Sequence, residues 1–224
     1  KGLDLVECVL NEIMATGVQL VVLGMGESKY VDLFSWAQWK YPGLVAARFQ
    51  MNEALAHRIY AGCDLFLMPS MFEPCGLSQM IALRYGTLPI ARETGGLRDT
   101  VLSYNEFTGE GNGFTFLNYN AHDMLHVIER AVHMYHEDRA TFNFLAKRAM
   151  QGLYGWDQSA QQYLNLYRDL TGIFESPAPV VEPATEPAPA AESAPKKPRT
   201  PRKKKEDAPA EKKPRAPRKK KTEE

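Results

Sequence analysis

Phe72-Glu73-Pro74-Cys75-Gly76-Leu77-Ser78-Gln79 joins two segments of opposite character. Before it runs the apolar stretch Asp64–Met68, which reads as a buried strand. After it, Gln79-Met80-Ile81-Ala82-Leu83-Arg84 carries a helical pattern. A strand, a tight loop and a helix N-terminus therefore meet at the Glu73 carboxylate. Helix N-termini offer free N–H groups and partial positive charge, which suit a phosphate or a sugar hydroxyl. Pro74 fixes one backbone angle, and Gly76 lets a ligand approach the main chain. Ligands of open α/β sheets bind beyond the carboxyl ends of the strands.

Working outward, Leu3, Val6, Val9, Leu10 and Ile13 recur at helical spacing, and Gly17 ends that helix. Val18–Leu23 reads as a buried strand stopping at Gly24-Met25-Gly26. A helix through Trp39 is broken by Tyr41-Pro42-Gly43, and Leu44–Phe49 is a second strand. Asn52 caps a helix over Glu53–Ala61, Asp64–Met68 is the third strand and Leu77–Tyr85 the next helix. Leu88–Ala91 and Gly113–Phe116 are strands, with a flexible turn at Thr94-Gly95-Gly96-Leu97 between them. Alternating strands and helices with short turns predict an α/β fold with a doubly wound, Rossmann-like parallel sheet, one strand of which is expected before Lys1. Helices follow over Asp123–His136, Ala140–Met150 and Trp156–Leu170. Trp156, Ala160, Tyr163, Leu164 and Tyr167 form a stripe on the last of these, which reads as core packing.

Charge divides the chain. Residues 175–224 hold 14 of the 27 Lys+Arg, 9 of the 27 Asp+Glu and 11 of the 15 prolines, so residues 1–174 carry a formal charge of −5. A globular domain over 1–174 and a disordered tail over 175–224 are expected. The tail is Pro/Ala/Glu-rich from Ser176 to Pro195. The run Lys196–Lys205 then returns almost unchanged as Lys212–Lys221. Such a tail can meet polyanions non-specifically. Three cysteines without paired spacing argue against a disulfide framework and for a reducing cytoplasm. No apolar run approaches the roughly 20 residues that span a bilayer, so no membrane role is expected.

Several segments together resemble the C-terminal half of bacterial glycogen (starch) synthase, in order from Lys1 to about Leu170. They are Lys1–Leu5, His57–Gly62, Pro69-Ser70, Phe72–Gln79, Tyr85-Gly86-Thr87, and Thr94–Leu97 with Asp99–Val101. The resemblance implies the C-terminal, donor-binding lobe of a two-lobed GT-B glycosyltransferase, whose last helix crosses back to the other lobe. It implies ADP-glucose as donor, an α-1,4-glucan as acceptor, retention at the anomeric carbon, no metal and no cofactor. Lys1 falls inside a motif, so a fragment of a longer protein is expected, inactive on its own. A glycosyltransferase using UDP-glucose or another nucleotide sugar, and a non-catalytic polyanion binder, are the competing expectations.

By the same resemblance, Glu73 contacts sugar hydroxyls, and Cys75, Gly76 and Leu77 act through their N–H groups, with Ser78 near the diphosphate. The bland alternative for Glu73 is a helix-capping carboxylate. Cys75 is expected to be structural and buried rather than nucleophilic. Lys1 aligns with a lysine that neutralises the diphosphate. Thr94, Gly95 and Gly96 close the donor site or form a plain turn. Gly24 and Gly26 line the nucleotide pocket or make a tight turn only; Lys29 stands where the dinucleotide fingerprint has its third glycine. Met51 stands where relatives often stack an aromatic ring on adenine. Ile81 occupies the place of the second acid of the paired-Glu glycosyltransferases, which fits the glycogen synthase branch. His122, His126, His133 and His136 read as surface residues, and no metal site is expected.

Overall fold

In the computed structural model, residues 1–172 are described; the expected tail, 175–224, lies outside them. The chain opens with α1 (Leu3–Cys8) and α2 (Leu10–Ala15), followed by β1 (Leu20–Leu23), α3 (Ser28–Lys40) and β2 (Val45–Arg48). Next come α4 (Glu53–Gly62), β3 (Leu65–Met68), α5 (Ser78–Tyr85), β4 (Leu88–Arg92), α6 (Gly95–Thr100) and β5 (Phe114–Phe116). Three helices close the described part: α7 (Ala121–Glu137), α8 (Arg139–Met150) and α9 (Trp156–Thr171).

Every strand pair is parallel, as alternating strands and helices require. Leu20 sits opposite Val45 in the β1–β2 pair, Leu65 opposite Leu88 in β3–β4, and Ile90 opposite Phe114 in β4–β5. The single sheet expected from sequence is two sheets here, β1-β2 and β3-β4-β5. Between β1 and β3 lies a cleft of about 830 Å³, lined from both strands by residues such as Val21, Val22, Phe66 and Leu67. β1 was expected to be buried, yet Val21 is 42% exposed. β1 pairs only with β2, and its other edge opens on the cleft.

The main core lies where α5, α7 and α8 pack on β4 and β5, around Leu83, Leu88, Ile90, Phe114, Met124 and Leu145. α7 supplies Met124, Leu125, Val127, Ile128, Ala131 and Val132, spaced three and four apart so that one stripe faces inward. α1 and α2 were expected as one helix. They part at Val9, which leaves helical geometry at φ −122°, ψ 25° while buried. No proline or glycine announces that break.

The stripe on α9 is not core packing. Trp156 is 86% exposed, and no residue of α9 is buried. Tyr154, just before α9, still packs against the core, and its hydroxyl accepts from the Asn112 side chain at 3.1 Å. Among the described residues, no helix is long and apolar enough to cross a membrane.

Candidate functional site

β3 ends at Met68 because Pro69 cannot donate to a ladder. The octapeptide then leaves from the carboxyl end of a strand whose neighbour β4 ends at Arg92. The Arg92 guanidinium gathers the exits of three strands. Its Nε donates to the Ser70 carbonyl at 3.0 Å, one terminal nitrogen to Met71 at 2.5 Å, and the other to Leu117, beyond β5, at 3.0 Å. A fork of fixed N–H directions suits that task better than a single ammonium. Nothing in the sequence motifs pointed to Arg92. The available signal was an arginine closing the apolar strand Leu88-Pro89-Ile90-Ala91.

Glu73 is 9% exposed. One carboxylate oxygen takes Lys1 Nζ at 2.5 Å and the Ser70 hydroxyl at 3.4 Å. Its other oxygen accepts from no described residue. This carboxylate caps no helix, since α5 begins at Ser78 without a side-chain cap. The pairing between Lys1 and Glu73, which the resemblance placed in one site by separate motifs, brings together residues 72 positions apart. Lys1 is placed there by the start of α1. The Gly2 main chain lies against the Pro69 carbonyl, and Asp4 accepts from the Tyr119 hydroxyl at 2.6 Å. Loss of hydration, and then the Asp4 carboxylate, push the Tyr119 hydroxyl up to about 12.

Thr94-Gly95-Gly96 is no free turn: Gly95 and Gly96 are the first residues of α6. The Gly96 N–H donates to the Glu73 and Pro74 carbonyls at 3.1 and 3.2 Å. A Cβ on Gly95 would lie 2.2 Å from the Glu73 carbonyl oxygen, and one on Gly96 at 2.2 Å from that of Cys75. On their Cβ side, both glycines lie against the octapeptide itself. Cys75 is exposed, against the expectation of a buried thiol, and its Sγ lies 3.6 Å from the Gly76 carbonyl. Ser78 opens α5, so uncapped N–H groups of that helix stand beside the glycine of the loop.

Gly24, Gly26 and Met51 follow β1 and β2. A Cβ on Gly24 or Gly26 would meet nothing within 4 Å, and Met51 is 79% exposed. No hydrogen bond among the described residues ties these three to the octapeptide. Their loops belong to the other sheet. His122, His126, His133 and His136 are exposed on α7. No group of three metal-binding side chains gathers among the described residues.

The arrangement offers one carboxylate oxygen as a hydroxyl acceptor, an ammonium beside it and main-chain N–H donors on the following turn. Those are the fittings for a sugar joined to a phosphate. The chain is similar to proteins already known. Glycogen synthase of Clostridium acetobutylicum is 56% identical over 167 residues, which are 75% of this chain and 35% of that protein. Glycogen synthase of Bacillus cereus is 58% identical over 170 residues, 76% of this chain and 36% of that one. The catalytic domain of starch synthase IV from Arabidopsis thaliana, bound to ADP and acarbose, superposes with a TM-score of 0.69 at 36% identity. That match covers 77% of this chain and 36% of that one. Sucrose-phosphate synthase from Thermosynechococcus elongatus, at 22% identity and a TM-score of 0.54, shares the fold. The chain thus spans about a third of the length of the curated relatives it matches. The glycosyl transferases group 1 profile matches residues 1–148: the chain belongs to that family.

Proposed function

We propose that this chain is the donor-binding lobe of a retaining glucosyltransferase that moves glucose from ADP-glucose to the end of an α-1,4-glucan. The single observation that carries the proposal is Glu73, held at a strand end between Lys1 and Ser70 with one oxygen free for a hydroxyl. The glycogen synthases matched over this lobe and the ADP-bound starch synthase support the choice of donor.

In this proposal Lys1 meets the charge of the departing diphosphate, helped by N–H groups of Gly76 and Leu77 and by the start of α5. Such preorganised donors act where charge develops as the glycosidic bond to phosphate breaks. Glu73 holds the sugar by its hydroxyls and is placed to orient rather than to attack. No metal or cofactor enters the scheme. The acceptor glucan and further catalytic groups belong to the rest of a two-lobed enzyme, so residues 1–224 alone are expected to transfer no glucose. Met51 favours a second reading of the base pocket. An exposed thioether replaces a stacking ring, and a different nucleotide diphosphate sugar, such as UDP-glucose, would then serve.

Calorimetry with ADP, ADP-glucose and UDP-glucose on residues 1–224 and on Glu73→Ala separates these. The expected result is selective binding of the adenine ligands, with ADP-glucose weakened in Glu73→Ala and ADP spared. Tighter UDP-glucose binding selects the second reading. Equal loss of ADP and ADP-glucose in the variant would remove Glu73 from the sugar.

A further inference from the structure

Gln79 is the last residue of the octapeptide. In the fold it is fully buried, 0% exposed, in the first turn of α5. Its side-chain nitrogen donates to the Cys75 carbonyl at 3.1 Å and to the Gly76 carbonyl at 2.8 Å. The same nitrogen lies 3.1 Å from the Thr100 hydroxyl, which itself donates to the Gly96 carbonyl at 2.6 Å. With the hydroxyl proton committed to Gly96, all three neighbours are acceptors, so the group they surround is the NH₂ of the amide. Its oxygen is buried without a partner, and a Cβ on Gly76 would lie 2.5 Å from it. Gly76 takes the left-handed conformation at φ 73° over this side chain. Only glycine fits both that angle and that space.

The consequence follows from the peptide group. The chain holds no cis peptide among its described residues, and in a trans peptide the N–H points opposite to the C=O. Tying the Cys75 carbonyl inward turns the Gly76 N–H outward. Tying the Gly76 carbonyl inward does the same to the Leu77 N–H. Neither of these two N–H groups donates to a protein acceptor in the described residues. Both precede the uncapped N–H groups that open α5. Successive outward N–H groups of this kind form a concavity for an anion.

We propose that Gln79 is the positioning residue of this site: it sets the Gly76 and Leu77 N–H groups toward the diphosphate by holding the carbonyls behind them. The proposal rests on the donor-lobe reading for the identity of the anion, but not for the geometry. Gln79→Glu tests it. A protonated carboxyl still donates to one of the two carbonyls, whereas a carboxylate repels both. Amide NMR signals of residues 1–224 are followed across a pH series without ligand, and ADP affinity is measured as the ratio of variant to wild type. The expected result is that the Gly76 and Leu77 signals of Gln79→Glu shift as the new carboxyl ionises. In parallel the affinity ratio falls by roughly tenfold or more, as the loss of charge-assisted hydrogen bonds implies. The wild type shows neither shift. Gln79→Met, which has no charge to bury, is expected to bind ADP weakly at every pH while remaining folded. Gly76 and Leu77 signals that ignore the ionisation would overturn the proposal, as would wild-type ADP affinity in a folded Gln79→Met. Wild-type protein that binds no ADP would overturn the donor reading instead, and the ligand-free shifts would still decide the role of Gln79.

Discussion

A methyl group on Gly96 would meet the Cys75 carbonyl oxygen at 2.2 Å, and backbone atoms on both sides have nowhere to go. Gly96→Ala is therefore expected to push α6 off the octapeptide and break the N–H bond to the Glu73 carbonyl. Overpacking of this kind costs about 1–3 kcal/mol, to be read as a lower urea midpoint at unchanged slope; an unchanged midpoint would mean that the contact is dispensable. The two glycines were visible in sequence, but what they touch was not. Spacing shows that a close approach is permitted and leaves open whether ligand or protein makes it. Glu73 was legible because strand, loop and helix signals converge on it. Arg92 and Gln79 were not, since each works by reaching main-chain carbonyls, and carbonyls carry no sequence signal. Cys75 was misjudged for a related reason, because burial of a loop side chain depends on which way the loop folds.

Capping separates the helices that were placed well from those that were not. Asn52 accepts from the Leu55 N–H and Asn120 from the His122 and Asp123 N–H groups, so α4 and α7 begin where short polar residues permit. Asp138 does the same for α8. Bonds from the Thr141 side chain and N–H hold its carboxyl below the usual carboxylate range. A depressed folded value means that the stabilisation is present above the unfolded value and is lost as pH falls through the folded one. Thermal melting should show this. The native chain should lose more stability than Asp138→Asn on acidification below about pH 4, because the amide caps without titrating. Parallel acid profiles would show that the cap contributes nothing there. α6 has no side-chain cap and starts with two glycines, which explains why it read as a turn. α9 misled in the opposite way: its periodicity was correct, but an amphipathic pattern does not say whether the described residues supply the partner.

At the scale of the molecule, the alternation of strands and helices gave parallel pairing, whereas the number of sheets depended on a neighbour for β1 and β3 that local patterns cannot supply. Two apolar strands thereby keep edges open on the cleft. Open edges of this kind are templates for pairing with another chain. Residues 1–224 are accordingly expected to self-associate as concentration rises, with mass by light scattering climbing above the 25.2 kDa of one chain. A single-chain mass at every concentration would show that the edges are inert. The cleft has an optical side as well. Tyr60 and Tyr135 are among its lining residues, and the tryptophans are not. Whatever fills the gap would change the surroundings of two phenols and leave the indoles as a steady reference. The molecule thus carries its own two-colour gauge, in the near ultraviolet, of whether the break in its sheet is open or closed.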